Sequence, residues 1–145
     1  MSGSFKLTGA RELDQALGEL KKSTERSLLR RVAIKALEPM RDRAKAMVPV
    51  KEGRLRDSIV IGTTLSRRAK KSERDEPKGG VRVFVGTAKR NAVAVEFGTF
   101  VAHPHPFMRP AFDSEGPKAV GIVETELGVM IEKAAARAAK NRAKG

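Results

Sequence analysis

Val95-Glu96-Phe97-Gly98-Thr99 is followed, four residues later, by Pro104-His105-Pro106-Phe107-Met108-Arg109-Pro110-Ala111-Phe112. The apolar run Ala92 to Phe97 stops at a glycine and reads as a short strand. The chain then crosses a loop whose prolines fix φ, and it turns into a helix opening at Pro110, where a proline sacrifices no hydrogen bond. Gly98 stands at the sharp turn between the two, and glycine alone takes positive φ cheaply. Thr99 is placed to close that turn through its hydroxyl. Glu96, a lone carboxylate at the end of the apolar run, reads as an acceptor for nearby backbone amides. Phe97, Phe107 and Phe112 read as core or interface residues. Phe107 and Phe112 are expected to be mostly buried, anchoring the helix start through Phe97 or Val95.

Working outward, Leu13, Ala16, Leu17 and Leu20 recur at helical spacing from Gly9 onward. Leu28, Leu29, Val32, Ala33, Ala36, Leu37, Met40, Ala44 and Met47 do so again. Both runs fit an amphipathic helix with one apolar stripe, as two helices or one bent helix. Pro49 ends it, since a proline biases the preceding residue away from helical torsions. Ser58 to Leu65 is rich in β-branched residues and reads as a strand. Ser66 to Gly80 is polar and charged, a long loop with little to bury. Val81 to Gly86 alternates as a half-buried strand does. A short connection to Ala92–Phe97 predicts an antiparallel hairpin between those two runs. Val120, Val123, Leu127, Met130, Ile131, Ala134 and Ala138 predict a last helix, separated by Asp113 to Pro117 from a turn of helix near Pro110. The expected fold is α+β: a small antiparallel sheet with N-terminal and C-terminal helices packed on one face. One domain is expected over 1–136, with 66–80 as a mobile charged loop and 137–145 as a basic C-terminal tail.

The chain has 145 residues, which allows one modest core. Aromatic residues are only 4% of it, so Leu, Val, Ile, Ala, Met and a few Phe must fill that core. With no cysteine there is no disulfide framework and no thiolate metal site. No secretory signal and no apolar run of membrane-spanning length is visible, so a soluble intracellular protein is expected. The formal net charge is +13, a balance that attracts polyanions. The excess lies in Lys21 to Arg31, in Arg67, Arg68, Lys70 and Lys71, and in Arg137, Lys140, Arg142 and Lys144. It serves either contact with an acidic partner or DNA, or solubility alone.

Chemistry is thinly represented. His103 and His105 form an H-x-H pair near Glu96, but a catalytic zinc wants three protein ligands, and Pro104 and Pro106 explain an extended loop without any metal. Ser58 and Ser114 lack a nucleophile context, and the glycines make neither a Walker loop nor a dinucleotide fingerprint. Arg82 beside Phe84 is a thin version of a single-strand-binding face. The expectation is of no enzyme, no cofactor and no metal.

The pattern resembles a family of small tailed-bacteriophage proteins, the tail-component, neck, head–tail joining or tail-completion proteins. Glu96-Phe97-Gly98-Thr99, the pair Pro106-Phe107 and the helix start Arg109-Pro110-Ala111 carry the likeness. So does Val48-Pro49-Val50-Lys51-Glu52-Gly53-Arg54-Leu55-Arg56-Asp57-Ser58-Ile59 upstream, with Pro49, Gly53 and Leu55 as its motif residues. Two departures stand out: Ala92-Val93-Ala94 replaces a stretch that often holds a tyrosine, and Glu52 stands where threonine is common. The resemblance implies a structural virion protein of the head–tail connector, a ring subunit that meets its own copies and neighbouring connector or tail proteins. DNA would pass along the ring axis. It would be assembled in the host cytoplasm and located in the virion. Arg67, Arg68, Lys70, Lys71, Arg137, Lys140, Arg142 and Lys144 are the candidate partner contacts. The alternative from charge alone is a small nucleic-acid-binding protein.

Overall fold

A computed structural model describes residues 22–51, 53–64 and 80–145. In chain order these form α1 (Lys22–Met47), α2 (Arg54–Asp57), β1 (Val60–Gly62), β2 (Phe84–Gly86), α3 (Asn91–Phe97) and α4 (Met108–Lys144). The expected helix between Gly9 and Leu20 lies outside the described residues, as do Glu52, Arg67, Arg68, Lys70, Lys71 and the charged loop as far as Lys78 and Gly79.

Helix α1 is the hub, packing on α4, on both strands and on α2. Its inner stripe is Val32, Ala36, Met40 and Ala44, continuing into Val48 just past its end. A four-residue step keeps these side chains on one slowly turning face, the face that α4 meets with Ala111, Ala119 and Leu127. Pro39 sits within α1 without ending it. The core proper joins Met40, Ala44 and Val48 to Leu55 of α2, Ile59, Ala92 of α3, and Phe107 and Ala111 at the start of α4. Phe107 and Ile59 are its largest fully buried side chains. With so few aromatics, one phenylalanine fills the junction where four elements meet.

The α+β class holds, with a two-stranded antiparallel sheet, but three expected elements are corrected. First, Ala92–Phe97 is a helix rather than a strand. Ala92 and Glu96 are buried while Val93 and Phe97 are exposed, a period that only a helix produces. Alternating Ala and Val resembled a strand because β-branched valine favours a pleated surface, a preference that tertiary contacts override here. Second, β2 therefore pairs with β1, in the register Val60–Gly86, Ile61–Val85 and Gly62–Phe84. The hairpin closes across the charged segment, and each strand is shorter than the apolar run that announced it. Third, Asp113 to Pro117 does not interrupt the last helix, which runs through Pro117 for 37 residues. Asp113 and Pro117 are both exposed, so the carbonyl that loses its helical donor faces water. The last helix turns contain Arg137, Lys140, Arg142 and Lys144.

Ile59 is wholly buried where α2 hands over to β1. Ile59→Ala should lower stability by about 2–5 kcal/mol through lost transfer energy and the cavity left behind. Urea unfolding would register this as a lower midpoint with an unchanged slope.

Candidate functional site

Glu96 lies in the last turn of α3, and its carboxylate reaches across to the beginning of α4. Oε2 accepts hydrogen bonds from the backbone N–H groups of Phe107 at 2.7 Å and Met108 at 2.9 Å. Oε1 accepts one from Arg109 N–H, also at 2.9 Å. The first four N–H groups of a helix have no partner inside it. Three of them here go to Glu96, and the fourth residue is Pro110, which has no N–H. Phe107, at the cap position, makes no side-chain cap of its own. The donor inventory of this helix start is thus closed by a residue eleven positions upstream. The negative charge also faces the positive end of the α4 dipole.

Burial pushes the Glu96 carboxyl up, but the three N–H donors and the nearby Arg109 charge outweigh it, so the group titrates below its ordinary value. The charged form is the one the fold holds. Arg109 adds a second tie, its guanidinium carbon 4.9 Å from the centre of the Phe97 ring.

The loop between α3 and α4 is folded by its own backbone. Gly98 has φ +76°, and a Cβ there would lie 2.9 Å from the Ala102 carbonyl oxygen and 2.9 Å from Pro104 N. Both the torsion and the space demand glycine. Thr99 N–H donates to the Ala102 carbonyl at 2.9 Å, and Ala102 N–H donates to Thr99 Oγ1 at 3.0 Å. Further on, His105 N–H donates to the Val95 carbonyl at 2.7 Å. Glu96, Gly98 and Thr99 therefore do what the residue types announce.

The aromatic residues divide. Phe107 is buried as expected. Phe112, expected to be mostly buried, is 39% exposed, because it lies one position beyond the inward-facing Ala111 of α4. Phe97 faces solvent beside Val93, one helical turn away, and Phe100 and Val101 at the loop tip are fully open. The outward face of α3 and the tip that follows it are thus apolar. The signal available in the sequence was the helical spacing of Val93 and Phe97, which the strand reading hid.

The upstream element meets this one. Gly53, with φ +72°, opens α2, and Leu55 enters the core. Ser58 Oγ donates to the Leu55 carbonyl at 2.6 Å and lies 2.6 Å from Thr87 Oγ1, tying α2 to the end of β2. A groove of about 540 Å³ has Pro49, Gly53 and Leu55 on one side and Asn91, Val95 and His105 on the other. Lys51, Arg54 and Lys89 edge it, with no carboxylate among its described lining residues. Pro106 is exposed, and Pro110 is half-buried in the first turn of α4. Arg137, Lys140, Arg142 and Lys144 are exposed at the far end of α4, apart from this cluster. Among the described residues no group of three or more His, Cys, Asp or Glu could hold a metal ion. Among them, too, no helix is long and apolar enough to cross a membrane.

Residues 11–98 match the model of the HK97-gp10-like family, described as Bacteriophage HK97-gp10, putative tail-component. The match covers more than half of the chain. This chain belongs to that phage tail-component family. No curated protein and no solved structure gives a significant match. The matched segment ends at Gly98, so it takes in Glu96 and the turn glycine but not the amides that Glu96 holds.

Glu96→Gln places an amide donor against backbone donors and should cost about 1–3 kcal/mol. Because the folded carboxyl titrates low, its contribution is complete above the unfolded value, which lies near 4.5, and is lost as pH falls through the folded one. Thermal melts from neutral to acid pH should therefore show the parent converging on the variant in acid.

Proposed function

We propose that this protein is a structural subunit of the connector between phage capsid and tail, a neck or tail-completion protein that works by assembly and not by catalysis. Family membership supports the phage tail setting. The observation that carries the finer reading is the division of labour in the Glu96–Phe112 element. Its polar members fasten the loop, and its apolar members Phe97, Phe100 and Val101, with Val93, are left outside. Exposed apolar surface of this kind belongs to protein–protein contact. Connectors surround a DNA path on a rotational axis, and a ring closes through a heterologous head-to-tail interface. Its partners are its own copies and neighbouring connector or tail proteins, met in the host cytoplasm and retained in the virion.

Charge supports a second reading, nucleic-acid binding, through the net +13 and the cationic edge of the Pro49–Leu55 groove. The two separate cleanly by salt. Binding that neutralises about six phosphates falls roughly a thousandfold across a fourfold rise in salt. Light scattering on the purified protein, alone and with neighbouring connector proteins, should give multimers or stoichiometric complexes. Filter binding to a random duplex should be weak. Tight, steeply salt-dependent duplex binding by a protein that stays monomeric with every partner would favour the second reading.

The basic end of α4 fits an acidic neighbour in the same scheme. Reversing Arg137, Lys140, Arg142 and Lys144 to Glu should spare folding and slow head–tail joining, since charges at an interface rim act mainly on association rate. Normal joining kinetics would assign that stretch to solubility.

A further inference from the structure

Resting on the ring reading above, we propose that the Phe100-Val101 tip of one copy seats in an apolar groove of the next copy, between α1, α4 and the β2 strand. Two features of one molecule match. The tip is fully exposed, with Phe97 beside it. The groove has a volume of about 660 Å³, and Leu37, Met40, Phe84, Phe112, Val120 and Val123 are among its lining residues. No residue of α3 or of the loop after it lines that groove, so tip and groove are separate surfaces. A contact between unlike surfaces is heterologous, which is what a closed ring of identical subunits needs.

Electrostatics selects a second copy at this place. Two chains of net charge +13 repel each other, and they approach most easily where both are uncharged. Phe97 to Met108 is the longest run in the chain without Asp, Glu, Lys or Arg, twelve residues in a sequence that is 32% charged. Arg82 is the one charged residue among the described lining of the groove. The tip offers a phenylalanine and a valine whose burial repays the approach, and the half-exposed Phe112 gives the incoming ring an aromatic neighbour. Screening the remaining charge strengthens such a contact, so self-association rises with salt. A contact to phosphate or to an acidic neighbour does the reverse.

The chain has no cysteine, which makes the test direct. Ala102→Cys, at an exposed position that leaves Phe100 and Val101 in place, and Val120→Cys proteins, each melting like the parent, are mixed and oxidised, and the parent's mass is followed against concentration and salt. The expected result is a disulfide between the two variants at several times the yield of either homodimer, and parent multimers that tighten as salt rises. Parent multimers without that mixed disulfide, or with Ala102→Cys pairing to itself, would overturn this contact and leave the ring reading standing. A Val120→Cys thiol shielded from a maleimide in the monomer would place a segment of the same chain in the groove and also overturn it. A parent that stays monomeric alone and with connector partners, with no mixed disulfide, would overturn both.

Discussion

A helix of 37 residues begins at Met108, and its first turn has no cap of its own. The constraint that organises the rest is that Glu96 must supply one. Three backbone donors converge on a single buried carboxylate, and a proline occupies the one remaining position. Left without that acceptor, the buried Phe107 donor alone would cost about 1–3 kcal/mol. To deliver it, residues 91–97 must be helical, so that Ala92 and Glu96 point inward together. The chain must then reverse within a few residues, which requires the positive φ of Gly98. Phe107, placed by the same contact, fills the junction between α1, α2, α3 and α4.

That constraint also explains why the surface looks as it does. A helix that turns Ala92 and Glu96 inward turns Val93 and Phe97 outward. A loop held at both ends by Glu96 and by the Val95–His105 hydrogen bond projects its middle, Phe100 and Val101, into solvent. The exposed apolar tip is the geometric consequence of how the loop is fastened. Rigid attachment matters for assembly, because a tip already ordered before contact loses little conformational entropy when it docks.

Much of this was legible in the residues. Glu96 as an amide acceptor, Gly98 as a positive-φ corner, Thr99 as the turn's hydroxyl and Phe107 as a core anchor all follow from residue type and neighbours. The stripe of α1 was equally plain, because its apolar positions recur over several turns. The α3 segment was misread since its Ala-Val-Ala-Val run at 92–95 satisfies a strand's alternation about as well as a helix's period. Only the need to aim Glu96 at α4 decides between them, and that is a tertiary demand. The expected hairpin of Val81–Gly86 with Ala92–Phe97, in place of the observed pairing of β1 with β2, followed from the same misreading. Pro117 misled for a different reason: a proline's cost falls where the orphaned carbonyl reaches water. The exposure of Phe112 came down to one position of helical phase.

The central claim is that Glu96 holds the start of α4 and the loop before it as one unit. Native-state hydrogen exchange of the Phe107, Met108 and Arg109 amides tests it most directly. If the claim holds, all three exchange slowly at neutral pH, with opening free energies close to that of global unfolding and similar to one another. Exchange at the rate of an open loop, while the α1 core amides stay protected, would contradict it.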